Sequence, residues 1–480
     1  QFFNVMRKGH LYSILATLIY SVDLFAQMNY KIAELPFNTQ AKEMAPALYK
    51  NSLVFCSDRR NDFLITYLDQ DNNPLTNLYQ VEKKASGKFG PVKAVSKTLN
   101  SALFEGPSVF SQDGNTIFFT RTLDITKSLN GKARTDTTFG IFMADYRNGE
   151  WGIPRPFNFN SSSYNTGYPY ITDNGLQLYF CSDAPGGYGG MDFYVSNLKN
   201  GQWSSPENLG PAINTEKNEV FPFLQRSGRL FFSSRGHKST VDLDILYSDK
   251  KDGVWQTPVI LPAPFNTSND DFGLIFNTSS DTGYFVSDRN GSQDIFAAYS
   301  TLPVFSQCTM QQEDDYCFVF YESNNSEIDS ALYVYEWDLG DGTKMRSIEA
   351  EHCYEGPGTY EVQLNIIDKL TDDVMVSQAS YSILVERIEQ PYIQCADTVY
   401  SGEEVKFSGS NSFYKYFQIE NYYWDFDDGS SATGVETLHR FSIPGTYKVR
   451  LGITDINNDF PKAGQKSCVT RNVVVLEARN

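Results

Sequence analysis

Histidine is scarce in this chain, with four in 480 residues, and there is no Gly-x-Ser-x-Gly elbow. A serine triad needs a histidine beside its nucleophile, and between the N-terminal stretch and residue 351 the sequence offers only His237, which excludes serine hydrolase chemistry. No pair of carboxylates stands apart from the repeated positions, as the two of a glycosidase would. No six-oxygen loop pattern marks a calcium site. Basic residues are also in deficit, 40 Lys and Arg against 58 Asp and Glu, a formal charge of −18. A phosphate-binding surface needs the opposite balance, so nucleic acid is excluded as a partner. The expectation is a protein that is not an enzyme and uses no cofactor and no metal.

Long apolar runs are confined to the start. Arg7 and Lys8 precede an apolar stretch from Leu11 to Val22, then Leu24-Phe25-Ala26 before Gln27. That stretch is too short to span a bilayer and has the order of an export signal. Residues 1–26 are read as the signal region, with Met6 as initiator and cleavage near Ala26. No Cys follows the cut, so a lipid anchor there is not supported, and no later stretch is long enough to be transmembrane. The mature chain is expected in the periplasm, associated with the outer membrane, or outside the cell.

What the sequence has in abundance is repetition. Asn148-Gly149-Glu150-Trp151, Asn200-Gly201-Gln202-Trp203 and Asp252-Gly253-Val254-Trp255 recur every 52 residues. Short aromatic and β-branched runs surround them, separated by Gly, Asn and Asp, a composition that suits half-buried strands and tight hairpins. Five copies have second strands at Leu53 to Asp58, Ile117 to Arg121, Leu178 to Asp183, Leu230 to Ser234 and Tyr284 to Asp288. Third strands are predicted at Phe63 to Tyr67, Ile141 to Ala144, Asp192 to Val195, Asp244 to Tyr247 and Asp294 to Ala297. Four-stranded units repeated in this way are propeller blades.

The fifth copy lacks its outer strand. Leu35-Pro36-Phe37-Asn38-Thr39 copies Leu261 to Thr267 and Leu209 to Thr215, so residues 30–40 are predicted to supply that strand and remove the open edge. The pairing of Ser287-Asp288-Arg289 with Asp294-Ile295-Phe296 resembles the TolB-like propeller repeat over roughly residues 30 to 300. The first two copies depart from it, with Phe63 and Gly140 where the others have Asp.

Past Pro303 a second kind of copy begins. Tyr335-Glu336-Trp337-Asp338-Leu339-Gly340-Asp341-Gly342 is answered by Tyr423-Trp424-Asp425-Phe426-Asp427-Asp428-Gly429, and Pro357-Gly358-Thr359-Tyr360 by Pro444-Gly445-Thr446-Tyr447. These segments resemble the PKD domain, which implies an immunoglobulin-like sandwich with Trp337 and Trp424 buried between its sheets. His352 and His439 hold the same place in each copy. One His per domain, with no clustered partner, reads as a structural residue rather than a metal ligand. The Asp clusters read as turn chemistry.

The predicted fold is therefore all-β: a five-bladed β-propeller closed by an N-terminal strand (residues 30–303), then two immunoglobulin-like PKD sandwiches (305–388 and 391–480). Residues 305–480 hold 13 Lys or Arg and 29 Asp or Glu, which places most of the negative charge in the C-terminal part. Seven cysteines cannot all pair. Cys56 and Cys181 are expected as buried thiols, while Cys317 with Cys353 and Cys395 with Cys468 are possible pairs that leave Cys308, connectivity not being fixed by spacing.

Arg59, Arg121, Arg235 and Arg289 end the second strands of four copies, on the face where the loops between second and third strands emerge. With Tyr188 of the Pro185 to Gly190 loop they form the candidate partner-binding face, where arginines would receive a carboxylate or an acidic loop. The alternative is that each Arg pairs with an Asp of its own or the next copy, such as Asp192, Asp244 or Asp294. An exported propeller followed by PKD domains resembles envelope scaffold proteins of the type IX secretion and gliding kind. That resemblance implies a non-catalytic scaffold or adaptor for envelope proteins. A surface glycan-binding protein is the alternative reading, and a propeller glycosidase stands third.

Overall fold

A computed structural model describes residues 30–59, 75–101, 103–123, 138–237, 242–251, 253–279, 281–305, 307–322, 329–455 and 466–478. The export signal and the strand expected at Phe63 to Tyr67 lie outside the described residues. The described elements are all β. The main division of the chain falls between Leu302 and Pro303.

The N-terminal unit contains five antiparallel sheets built on four strands, in chain order except that the outer strand of the fifth comes from the N-terminal side. Their first strands are Glu43–Tyr49, Glu105–Phe110, Thr166–Ile171, Glu219–Leu224 and Asp271–Phe276. Their second strands are Ser52–Ser57, Thr116–Thr122, Gln177–Ser182, Leu230–Ser234 and Thr282–Ser287. These second strands read as unbroken apolar runs, Leu53-Val54-Phe55-Cys56 or Leu230-Phe231-Phe232, because both faces are covered. One face packs on the preceding sheet and the other on the following one. Phe118, Ile141, Phe157, Leu178 and Phe180 fill the space between sheets two and three, and Phe231, Ile245, Phe265, Phe276 and Phe285 that between sheets four and five. Each buried Phe contributes about 2–3 kcal/mol of apolar burial.

The first strands lie side by side in succession, and Asp271–Phe276 returns to contact Glu43–Tyr49. The arrangement is propeller-like. Each first strand breaks register with its second strand at a bulge, and a residue at or beside each break has positive φ: Ala45, Gly106, Tyr168, Phe221 and Gly273. At Gly106 only glycine fits, since a Cβ there would sit 2.0 Å from Cys56 Sγ. Tyr168 packs edge-on to Phe221, which in turn contacts Phe272, so aromatic side chains of three successive sheets meet.

The strand expected from the N-terminus is in place. Tyr30–Glu34 pairs antiparallel with Asp294–Ser300, from Tyr30↔Ser300 to Glu34↔Phe296, as the outer strand of the fifth sheet. One third strand differs from expectation. The third strand of the first sheet is Asn77–Glu82, with Asn77 opposite Ser57, so Asn77 and not Phe63 stands where Asp192, Asp244 and Asp294 stand. The outermost strands of the second, third and fourth sheets are Arg155–Pro156, Glu207–Asn208 and Val259–Ile260. They lie four residues beyond Trp151, Trp203 and Trp255, which instead form short hairpin extensions of the third strands.

In the C-terminal unit each sandwich pairs a two-stranded sheet with a larger one. The first has Cys317–Tyr321 with Glu349–Cys353, facing Lys344–Met345, Tyr333–Asp338, Gly358–Asp368 and Val374–Val385. The second has Glu404–Ser408 with Glu436–Arg440, facing Ser431–Thr433, Ile419–Asp425, Gly445–Asp455 and Lys466–Leu476. Trp337 and Trp424 are each 2% exposed, against Phe320 and Phe407 respectively.

The disulfides correct one expected pairing. Cys317 bonds Cys353 directly across its two strands, but Cys468 bonds Cys308, and Cys395 is free with Cys56 and Cys181. The reason is topological. Thr309–Met310 precedes the first sandwich in the chain yet runs parallel to the last strand of the second, with Thr309 opposite Val469, which puts Cys308 beside Cys468. Burial pushes the Cys395 thiol up to about 11.

Candidate functional site

The loops entering each sheet of the N-terminal unit carry an asparagine whose amide replaces a missing strand neighbour. Asn38, Asn100, Asn160, Asn214 and Asn266 each bind both backbone groups of one third-strand residue: Ile295, Leu78, Ile141, Phe193 and Ile245. The residue after the asparagine, Thr39, Ser101, Thr215 or Thr267, gives its backbone N–H and hydroxyl to a carboxylate four residues on, that of Glu43, Glu105, Glu219 or Asp271. Each of these acids is the first residue of a first strand and is fully buried.

The candidate arginines meet these acids. Arg59 reaches Glu43 at 2.7 Å, Arg121 reaches Glu105 at 3.1 Å and Arg289 reaches Asp271 at 2.7 Å. Arg235 reaches Asp270 at 2.7 Å instead, and Glu219 is bonded by Ser234 and faces His237. Three of the guanidiniums also bind loop carbonyls: Arg59 to Phe37, Arg121 to Leu99, and Arg289 to Pro264 and Phe265. The partners are thus first-strand acids and Asp270 rather than Asp192, Asp244 or Asp294.

Burial raises the carboxyls of Glu105 and Glu219 against the lowering effect of their hydrogen bonds and of Arg121 and His237. The third sheet breaks the pattern. Thr166 holds the acid's place with no partner for its hydroxyl, no Arg follows Asp183, and Asp183 binds Asn165. Tyr188 stands on this sheet with 46% exposure. Its loop is fixed by Tyr188 N–H to Asp192 at 2.5 Å and by Gly190 N–H to the Lys217 carbonyl.

The arginines were visible in the sequence and their acids were not. The usable signal was the recurrence of Asn-Thr or Asn-Ser with an acid four residues later, as in Thr39 with Glu43, Thr215 with Glu219 and Thr267 with Asp271. Replacing Arg289 with Met leaves Asp271 Oδ1 without its cation in a buried place, with an expected loss of about 2–4 kcal/mol in chemical denaturation. The added change Asp271→Asn is expected to recover part of it.

In the sandwiches, His352 Nε2 lies 2.7 Å from Asp341 Oδ2, and His439 Nε2 lies 2.9 Å from Asp428 Oδ2. The other oxygens of both carboxylates hold turn amides, Thr343 N–H and Ser430 N–H. No group of three or more potential metal ligands occurs among the described residues. Burial raises the Asp341 and Asp428 carboxyls, but the histidine bond, its charge and the turn hydrogen bonds outweigh it and hold both below the usual value. Carboxyls lowered by folding add stability that is present above the unfolded value of about 3.9 and lost as pH falls through the folded value. Acid titration of the near-UV dichroism from Trp337 and Trp424 is expected to show this loss, and His439→Gln is expected to weaken the pH dependence.

A PKD domain family model matches residues 303–379 and 389–469, about a third of the chain. Collagenase ColA of Clostridium perfringens (strain 13 / Type A) is 26% identical over 147 residues, covering 30% of this chain and 13% of the collagenase. A microbial collagenase of Vibrio alginolyticus is 34% identical over 74 residues, 15% of this chain and 8% of that protein. This chain thus spans a small part of the curated relatives it matches.

Among solved structures, a TolB described as putative from Agrobacterium tumefaciens is similar over 74% of this chain and 89% of its own, with 12% identity and a TM-score of 0.34. An alpha-L-arabinofuranosidase from Lactobacillus brevis is similar over 54% and 90%, with 13% identity and a TM-score of 0.34. A post-proline cleaving enzyme from Rickettsia typhi is similar over 74% and 42%, with 11% identity and a TM-score of 0.26. Among the described residues no helix is long and apolar enough to cross a membrane.

Proposed function

We infer that this chain is an exported, non-catalytic scaffold or adaptor. It binds protein partners of the bacterial cell envelope through the loop face of a closed five-bladed propeller, with the two sandwiches as spacers. The observation that carries this reading is the repeated latch of acid, hydroxyl and arginine. Acid and hydroxyl recur at the entry loops of four sheets, with an arginine on the acid in three of them, while Tyr188 is exposed on the third sheet in a loop held by Asp192 and the Lys217 carbonyl, together the design of a rigid docking surface. Two disulfides agree with an oxidising compartment outside the cytoplasm. The resemblance to envelope scaffolds of the type IX secretion and gliding kind supports the same setting.

A photo-crosslinking residue at position 188, used in intact envelopes, is expected to trap one or a few defined proteins, with none trapped from position 153 on an exposed loop of the second sheet. Absence of any position-188 adduct contradicts the reading. An exposed aromatic also suits a sugar face, so glycan binding is the second reading. A glycan-array signal lost in Tyr188→Ala, with no crosslinked protein, would favour it over the scaffold.

A further inference from the structure

The two sandwiches treat the outer edge of their last strands differently. In the second, Lys466–Leu476 is covered by two short parallel strands, Thr309–Met310 and Thr398–Tyr400. The bonds run from Gln311 N–H to the Thr470 carbonyl, from Val474 N–H to the Asp397 carbonyl and from Ser401 N–H to the Leu476 carbonyl. In the first, the corresponding strand Val374–Val385 is the last in its sheet, and no strand lies beyond it among the described residues.

Chain position explains the difference. Thr398–Tyr400 ends 24 residues before Trp424, and the segment equally placed before Trp337 is residues 311–313. That segment is committed elsewhere. Gln311 exchanges bonds with Ile393, Gln312 with Gln390, and Tyr392 binds Glu313, all in the second sandwich, while Cys308 is covalently held to Cys468. The first sandwich has given its own edge segment to the second.

The matching registers identify the open groups. Thr446 stands opposite Val474 in the second sandwich as Thr359 stands opposite Leu384 in the first, and Val474 turns its N–H outward. Leu384 N–H therefore also points outward, and Leu384 is 64% exposed. Val374–Val385 contains no charged residue and no proline, the devices that normally protect an edge strand. Around it, residues 305–388 hold 17 Asp or Glu against 4 Lys or Arg.

We propose that the edge of Val374–Val385, centred on Ser380 to Leu384, is a strand-addition site. Its occupant is an extended segment of another protein with uncharged, alternating apolar residues and basic flanks, lying parallel to the strand. Backbone hydrogen bonds would supply affinity, and the acidic surround would select the basic flanks. A second copy of this chain is disfavoured as occupant, because it would bring an equal excess of negative charge to the same edge. The proposal is independent of the propeller face.

The test uses the full chain and a labelled peptide with this chain's own segment Thr398 to Gly402, flanked by two lysines at each end. Saturable binding is expected, weakened at least tenfold by Leu384→Pro, which removes one outward N–H at an edge where proline is tolerated. Ser380→Pro is the second variant, and an unchanged thermal midpoint shows that each variant folds. The same peptide with aspartate flanks is expected to bind at least tenfold more weakly. Hydrogen exchange should show new protection at Ser382 and Leu384. No binding of the lysine-flanked peptide, or binding to both proline variants as tight as to the unchanged chain, overturns the proposal. So does concentration-dependent dimerisation abolished by Leu384→Pro, which would assign the edge to a second copy.

Discussion

Deleting residues 30–39 is expected to abolish cooperative unfolding of the N-terminal unit and to yield aggregated protein. The deletion removes the outer strand of the fifth sheet along its whole length. It also removes Leu35 and Phe37 from the core, where Phe37 stacks on Phe55 at 5.1 Å, and Tyr30 from its contacts with Phe265 and Phe276. Three such side chains represent about 6 kcal/mol of apolar burial, a large part of the roughly 5–15 kcal/mol that separates folded from unfolded domains. Asn38 and Thr39 go with them, so the backbone of Ile295 and the buried carboxylate of Glu43 lose partners. Asp294–Ser300 would then be an open edge, ready to pair with another chain. Calorimetry and size-exclusion chromatography measure both effects, and a monomer with an unchanged transition would contradict them.

The second large effect is expected from the double change Cys308→Ser with Cys468→Ser. This disulfide spans 160 residues and encloses both sandwiches. Chain-entropy reasoning gives about 5 kcal/mol for a loop of that size, and engineered cases commonly yield less, so a loss of about 3–5 kcal/mol is expected for the C-terminal unit in denaturant titration. The Cys317–Cys353 link closes a much shorter loop, 36 residues, and its loss is expected to cost about 1 kcal/mol less on the same reasoning. Non-reducing peptide mapping should recover both linked pairs and free thiols at Cys56, Cys181 and Cys395.

The outline was legible because repetition was. The second strands of the N-terminal unit fall within about two residues of where the aromatic runs place them, and the buried tryptophans of both sandwiches follow from their copied surroundings. Composition pointed to Phe63 to Tyr67, an aromatic and β-branched run outside the described residues, as the third strand of the first sheet. Register with Ser52–Ser57 belongs to Asn77–Glu82, and register is a long-range property that local composition does not encode.

The cysteine pairing failed for a similar reason. Cys308 lies next to the first sandwich in sequence and beside the last strand of the second in space, because Thr309–Met310 crosses between them. At the candidate site the arginines stood out as charged residues at strand ends, whereas Glu43, Glu105, Glu219 and Asp271 blended into polar entry loops. Their function as internal partners emerges only when the bulged first strands bring Glu43, Glu105 and Asp271 under arginines and Glu219 under Ser234 and His237.

The latched ring is tested most directly by native-state hydrogen exchange at the amides of Tyr30–Glu34. If this segment is an integral strand, its strand-bonded amides should exchange only with the slow, cooperative opening that also releases Asp294–Ser300. Exchange at the rate of a frayed terminus, while Asp294–Ser300 stays protected, would contradict it.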